Sequence, residues 1–309
     1  MLILGEKYKF TSLEMQRLNK KFNTIKSVIY KDKESSNVIE EIDQVIKNDN
    51  LAVIVLNTKV KVDDEIIKYL TNLKFKYQDI KIISIEHFLE EYLYKCYIPE
   101  SNDDLHYLDD IKPFTTVQNI QKKIIDIISI IFLLPLLFIL KFIVKKKIEE
   151  QSPGSLYFKQ DRVGLNNKVF KCIKFRSMNE HDSNNDIRTA TKEDDRIFPF
   201  GETMRKTRID EIPQVLNILN NEIHLIGPRA EWIKLTQEYE KEIPYYNYRH
   251  IVKPGITGWA QVMFVEGRSK DDTRQKLMYD LYYIKYWSFW LDIKVIWKTV
   301  LVVLGKKGI

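Results

Sequence analysis

Two adjacent carboxylates, Asp210 and Glu211, stand among cations in the stretch KTRIDEIPQVLNILNNEIHLIGPRAEW, Lys206 to Trp232. Arg205, Lys206 and Arg208 precede or flank them, Arg229 follows in Gly-Pro-Arg, and Lys174 and Arg176 lie upstream in KFRSM. Cations at this density match the several oxygens of a nucleotide diphosphate, and arginine forks bind phosphate bidentately. A carboxylate in such a field is expected to keep a low pKa and stay ionised. It can then attack phosphorus and form a covalent intermediate. A second carboxylate can hold Mg2+, which takes only one or two protein carboxylates beside substrate phosphates.

The same residues also have a purely structural explanation. Ile212, Val215, Leu216 and Leu219 fall at i, i+3, i+4 and i+7, one helical face. Asp210 then fits the N-cap, Glu211 the first helical position and Pro213 the first turn. One acid would cap the helix and the other complement its dipole. Local sequence leaves both readings open, and the concentration of arginine around the pair favours chemistry.

The rest of the 309-residue chain must position these groups. Hydrophobic residues make up 44% and charged residues 30%, which excludes a disordered chain and a polytopic membrane protein. Residues 1–112 carry 17 Lys/Arg against 20 Asp/Glu, whereas residues 113–309 carry 32 against 23. The second half is therefore the part suited to phosphate, nucleic acid or an acidic membrane surface, although a solvated lysine-rich surface has the same balance. Two distant cysteines, Cys96 and Cys172, make neither a disulfide framework nor a zinc spacing, as suits a reducing environment. The start, MLILGEKYKF, turns charged too early for a signal peptide.

Residues 1–100 read as a small Rossmann-like α/β domain with a parallel sheet. Apolar, β-branched runs at Ile25–Tyr30, Leu51–Asn57 and Ile80–Ile85 alternate with helix-like stretches at Ser12–Phe22, Ser35–Lys47, Asp63–Phe75 and Glu86–Cys96. Only Gly5 of the ten glycines precedes Gly154, so the glycine-rich phosphate turn of a nucleotide-binding domain is missing. A regulatory, scaffolding or oligomerising role is expected for this domain. Residues 101–120, polar and acidic, read as a linker.

The membrane helix is expected over residues 121–147. Its apolar core, Ile124 to Val144, is 21 residues long, enough to span a bilayer. Pro135 at its centre removes a backbone hydrogen bond. Basic residues flank both ends, Lys122 and Lys123 before and Lys145 to Lys147 after, so both ends prefer the cytoplasmic side. A helix broken at Pro135 that enters and leaves by one leaflet satisfies all of this, with Asp126 at headgroup level. A kinked spanning helix and a buried core helix are the alternatives.

Residues 148–309 read as a mostly helical, loop-rich α+β catalytic domain, with turns at Ser152–Ser155, Arg162–Lys168, Lys253–Gly258 and Glu266–Ser269. Its tail carries Trp287, Trp290 and Trp297 beside Lys285, Lys294 and Lys298, a combination suited to a helix at the headgroup boundary or to ordinary packing on the domain.

From about Gln118 to the C-terminus the chain closely resembles the bacterial sugar transferases, the monotopic polyprenyl-phosphate phosphoglycosyl transferases. The resemblance rests on KKIIDI, SPGSLYFKQDRVG, FKCIKFRSM, MRKTRIDEIPQVLNIL, IHLIGPR, VKPGITGWAQV and KLMYDLYYIKYWSFWLDI, seven segments in the family's order. It implies transfer of a sugar-1-phosphate from a UDP-sugar to undecaprenyl phosphate, with release of UMP, at the cytoplasmic face of the inner membrane. It further implies that Asp210 is the nucleophile forming a phosphosugar intermediate and that Glu211 helps bind Mg2+. Arg205 and Arg229 would contact phosphate, and Lys174 and Arg176 would shape the nucleotide and membrane side of the site. The family's re-entrant helix agrees with the reading of Ile124 to Val144, although the family's usual Ser-Pro is Leu134-Pro135 here, and GPRAE stands for the more usual GPRPE. Larger members carry four membrane helices before a Rossmann-like domain. An exposed edge left without them would suit a homodimer. Nucleic-acid binding is not expected, because no recognised motif for it occurs. A glycosyltransferase releasing UDP and an inactive membrane scaffold remain the competing functions.

Overall fold

Strands and helices alternate through the first hundred residues as the apolar periodicity requires. The computed structural model describes residues 1–29, 33–48, 51–58, 62–100, 109–179, 194–264 and 269–305. The chain divides into two units, Met1–Tyr97 and Ile98–Ile309.

In the first unit, β1 (Leu2–Leu4), α1 (Ser12–Asn19), β2 (Lys26–Val28), α2 (Ser35–Asn48), β3 (Val53–Leu56), α3 (Asp64–Lys76), β4 (Lys81–Ser84) and α4 (Ile85–Phe88) follow in order. A single π-helical turn, Leu89–Leu93, closes the unit. The strands form a parallel sheet in the order β2-β1-β3-β4. Successive strand residues point to opposite faces. Leu2, Leu4 and Ile54 pack with Val38 and Ile42 of α2 and Ile66, Leu70 and Leu73 of α3. Ile3, Val53 and Val55, on the other face, are buried as well, so the sheet is covered on both sides. The parallel α/β domain expected from the sequence is present, with one central strand, β1, that the pattern did not reveal.

The second unit begins with α5 (Thr116–Gln151), 36 residues and about 54 Å long. A capping box of Thr115 and Gln118 starts it. Then come β5 (Tyr157–Val163), β6 (Val169–Phe175), α6 (Pro199–Thr207), α7 (Val215–Leu219), β7 (His224–Ile226), α8 (Ile233–Glu242), β8 (Gly255–Thr257), α9 (Trp259–Met263), α10 (Lys270–Lys285) and α11 (Phe289–Leu304). β5 and β6 make an antiparallel hairpin, and β7 pairs with β8 in parallel. Residues 101–108 of the expected linker and 266–268 of the expected turn at Glu266–Ser269 lie outside the described residues.

α5 is continuous through Pro135, where a break was expected. The reason lies in its inward stripe. Lys122, Asp126, Ser129, Leu137, Val144 and Ile148 are buried, with Leu133 and Leu140 packed between them, so the same face points inward before and after the proline. The outward face from Val117 to Ile143 is apolar and exposed, including Ile124, Ile128, Ile131, Phe138 and Phe142. The helix is long and apolar enough to cross a membrane, and 17% of its most apolar stretch is buried.

Candidate active site

The acidic pair sits on a short connection rather than at the start of an ordinary helix. α6 ends at Arg208, whose backbone is left-handed (φ 60, ψ 15). A 3-10 turn, Ile209–Gln214, carries Asp210 and Glu211 and leads into α7. Asp210 therefore caps nothing, contrary to the sequence expectation, because the chain reverses at Arg208 and enters the helix one turn later. Ile212, Val215 and Leu216 still face the core, while Leu219 is exposed.

A close backbone approach and a buried side-chain amide fix this turn. α6 packs so tightly on the chain leaving β6 that a Cβ at Gly201 would lie 2.1 Å from Ser177 O. On α7, the fully buried Asn217 accepts from Ile173 N at 3.0 Å and donates to Lys171 O at 2.8 Å. Its amide thus stitches α7 to the edge of β6. That attachment brings Lys174, near the end of β6, to Glu211 Oε1 at 2.7 Å.

Arg229 reaches the same oxygen at 3.2 Å. It is presented by a second tight junction, between β7 with its Gly-Pro-Arg extension and β8. Gly255 N donates to Pro228 O, and a Cβ on Gly255 would lie 2.1 Å from Gly227 N. Behind it, the buried Arg249 donates to Arg229 O at 2.8 Å, to Tyr246 OH at 2.6 Å, and lies 2.8 Å from Asp280 Oδ2.

The two carboxylates differ in state. Burial works against ionisation of Glu211, but Lys174 and Arg229, with Arg208, outweigh it and hold Glu211 well below the usual carboxylate range. For Asp210, burial and then the charge of Glu211 push the carboxyl up to about 6, against the pull of Lys174, Arg205 and Arg208. The expectation of a depressed pKa is thus reversed at Asp210, because its neighbour takes the nearest cations. Asp210 is 7% exposed, and its Oδ1 is buried without a hydrogen-bond partner among the described residues. Both side-chain bonds to Glu211 fall on Oε1. The protein thus offers Asp210 Oδ1 and Glu211 Oε2 as uncommitted oxygens, and no cluster of three or more potential metal ligands forms among the described residues. One or two such oxygens are the donor set that Mg2+ takes alongside phosphate.

Lys174, Glu211 and Arg229 are in direct contact, and Arg205 acts on Asp210 electrostatically, with its guanidinium also near Met178 Sδ. The other sequence candidates lie elsewhere. Arg176 is buried, and its guanidinium binds Ser152 Oγ and the carbonyls of Ser152, Ser155 and Met178, so it ties the end of α5 to β6. Lys122 is not a headgroup lysine. It is 1% exposed and donates to Ile226 O at 2.5 Å, Tyr283 OH at 2.7 Å and Asp292 Oδ2 at 2.9 Å. Asp126, one turn on, accepts from Leu225 N at 2.8 Å and pairs with His224 Nδ1 at 2.6 Å. Trp287 is buried against Phe114, whereas Trp290 is 76% exposed. Lys123 and Pro135 are exposed on α5. α11 is two-faced: Asp292 and Val295 are buried, while Trp290, Ile293, Trp297 and Leu301 form an exposed apolar face. The positioning residues Asn217, Arg249, Asp280 and Asp292 had no local signal, since the partners that place them are 20 to 170 positions away.

Residues 117–306 match the family model described as bacterial sugar transferase. The chain is 42% identical over 187 residues to a UDP-N-acetylgalactosamine-undecaprenyl-phosphate N-acetylgalactosaminephosphotransferase of Aeromonas hydrophila, covering 60% of this chain and 44% of the relative. It is 41% identical over 197 residues to a UDP-glucose:undecaprenyl-phosphate glucose-1-phosphate transferase of Xanthomonas campestris pv. campestris, covering 63% and 40%. An uncharacterized sugar transferase of Bacillus subtilis, EpsL, is 39% identical over 197 residues, covering 62% and 90%. The chain thus spans about two fifths of the length of the first two relatives. With more than half of its residues matched, and with the acidic pair and its cations inside the matched region, the chain belongs to the bacterial sugar transferase family.

Proposed function

We propose that this protein is a membrane-associated phosphoglycosyl transferase that moves a sugar-1-phosphate from a UDP-sugar to undecaprenyl phosphate, as the first membrane step of surface glycan assembly. The observation that carries the reading is Asp210: a buried carboxylate with an unpartnered oxygen, beside a Glu211 whose charge is already held by Lys174 and Arg229. The names of the Aeromonas hydrophila and Xanthomonas campestris relatives support the substrate classes.

In the first step Asp210 Oδ1 attacks the β-phosphorus of the UDP-sugar. An Asp–phosphorus bond forms as the bond from that phosphorus to the bridging oxygen breaks, and the oxygen leaves with its electron pair on UMP. Arg205 and Arg229 bind the phosphoryl oxygens as charge builds on them. A phosphate oxygen of undecaprenyl phosphate then attacks the same phosphorus and expels Asp210 as the carboxylate. Glu211, through its uncommitted Oε2, would hold Mg2+, which would neutralise diphosphate charge and ease departure of UMP.

The lipid substrate enters from the bilayer, and two features support a one-sided placement. The inward stripe of α5, from Lys122 to Ile148, packs on its own unit along the helix, which favours both ends on one side with the outer face dipping into a leaflet. The exposed tryptophan face of α11 suits the headgroup boundary. Together with the basic flanks, this supports the cytoplasmic face of the inner membrane as its location. The Met1–Tyr97 unit serves regulation or self-association, including as a homodimer. Just after β1 and β3, where such sheets bind nucleotides, Asn57 ties the two loops together: its side chain accepts from Tyr8 N and donates to Tyr8 O and Gly5 O.

The test is product identity. Membranes containing the protein are incubated with UDP-glucose or UDP-N-acetylgalactosamine, Mg2+ and undecaprenyl phosphate. UMP release is expected. Release of UDP would instead identify an ordinary glycosyltransferase, and no lipid-dependent turnover across a panel of UDP-sugars would identify an inactive scaffold.

A further inference from the structure

Arg208 occupies a position that a long side chain rarely takes. Its backbone is left-handed, a region that favours glycine and asparagine. The residue is also the pivot of the carboxylate turn, since its N–H donates to Arg205 O and its carbonyl accepts from Glu211 N at 3.1 Å. Glycine would make this turn with less strain, yet the chain carries a guanidinium there, two residues before Asp210.

That guanidinium is uncommitted. Lys174 and Arg229 both bond Glu211, and Arg205 has partners of its own. Arg208 is half-buried, and its side chain makes no hydrogen bond or ion pair among the described residues, although its charge acts on both Asp210 and Glu211. Four cations therefore surround two carboxylates. The surplus of positive charge is one that a diphosphate would neutralise.

We propose that Arg208 binds the phosphoryl group that Asp210 attacks, and that the left-handed turn is kept because it aims the guanidinium at that group. This rests on the phosphoglycosyl transfer reading given above. A planar guanidinium can hold two oxygens of one phosphoryl group, which also fixes its orientation toward Asp210. Strain concentrated at such a site is the expected companion of function rather than of stability.

The test uses the full chain in lipid nanodiscs, with UDP and UMP as titrated probes. Arg208→Gly removes the side chain and relaxes the turn. Arg208→Asn also tolerates the left-handed backbone, and Arg208→Lys restores charge without the fork. The expected result is an Arg208→Gly protein whose Tm is unchanged or raised by about 2–4 °C. Its UDP affinity falls by about tenfold to a hundredfold, as for loss of a charged hydrogen bond, while UMP, which lacks the second phosphoryl group, changes by less than about threefold. Arg208→Asn follows Arg208→Gly, and Arg208→Lys recovers part of the UDP affinity. Unchanged UDP binding in Arg208→Gly, beside clear binding by the wild type, would overturn the assignment and leave the transferase reading standing. A fall in Tm that accompanies the loss of affinity in both Gly and Asn variants would overturn it too, by showing a structural role. Absence of UDP binding in the wild type itself would remove the nucleotide reading and this proposal together.

Discussion

Asp210→Asn should make a protein that is catalytically dead and more stable. The Asp210 carboxyl rises from an ordinary 3.8 to about 6, chiefly through burial and then through Glu211. At about 1.36 kcal/mol for each pH unit, the ionised group disfavours the folded state by roughly 2–3 kcal/mol near neutral pH. The sign follows from proton binding. The folded state holds this proton more tightly than the unfolded chain, so the favourable contribution is complete below about pH 4 and is lost as pH rises through 6. Asparagine keeps the shape and carries no charge. For a unit of this size each kcal/mol moves Tm by about 2–4 °C, so Asp210→Asn should melt roughly 4–12 °C above wild type at pH 8, with the gap closing toward pH 4. Differential scanning fluorimetry of both proteins in nanodiscs between pH 4 and 8 measures this directly. An Asp210→Asn protein that melts below wild type at pH 8, or a gap that widens on acidification, would refute the view that burial strains this carboxylate.

Three further outcomes follow from the geometry. Lys122→Ala leaves Asp292 buried beside Tyr283 without its cation, which should cost about 3–5 kcal/mol. A Lys122→Met/Asp292→Leu double variant should recover most of that, and a drop in thermal stability under about 1 kcal/mol for Lys122→Ala would contradict the buried pair. Cysteines placed at Lys123 and Lys145 should both label from the cytoplasmic side, in wild type and in Pro135→Ala alike, because the inward stripe of α5 docks on one unit along its length. Labelling of either position only from the opposite side would show a spanning helix. Removing Mg2+ with a chelator should abolish UMP release, and Glu211→Gln should need at least about tenfold more Mg2+ for half-maximal rate. Equal Mg2+ dependence in both proteins would exclude Glu211 as a ligand.

Much of the fold was legible where a periodic apolar face meets a core. α2 and α3 were expected at Ser35–Lys47 and Asp63–Phe75 and lie at Ser35–Asn48 and Asp64–Lys76, since Val38, Ile42, Ile66, Leu70 and Leu73 recur at helical spacing. β1 escaped because three apolar residues at the chain start make no period by themselves. Only pairing on both sides makes Leu2–Leu4 a central strand. At the site, the residue types were legible and the backbone was not. Nothing in the letters of Thr207-Arg208-Ile209 announces a left-handed residue, for which a glycine or asparagine is the usual signal. Charge rules misplaced Lys122 and Asp126 for a related reason. A lysine at the edge of an apolar run looks like a headgroup anchor until its partners, Asp292 and Ile226, arrive from far along the chain. Trp287 and Trp290 look alike in sequence. The turn between α10 and α11 sends one inward against Phe114 and leaves the other exposed.

The most direct measurement is whether phosphosugar becomes bonded to Asp210. Membranes containing the protein are incubated with UDP-sugar carrying 32P at the β-phosphorus, with Mg2+ and without undecaprenyl phosphate, then quenched and digested. The expected result is label on the peptide containing Asp210, lost on adding undecaprenyl phosphate and absent from Asp210→Asn. Lipid-dependent UMP release with no label on the chain at any time, or label undiminished in Asp210→Asn, would contradict the role assigned to this carboxylate.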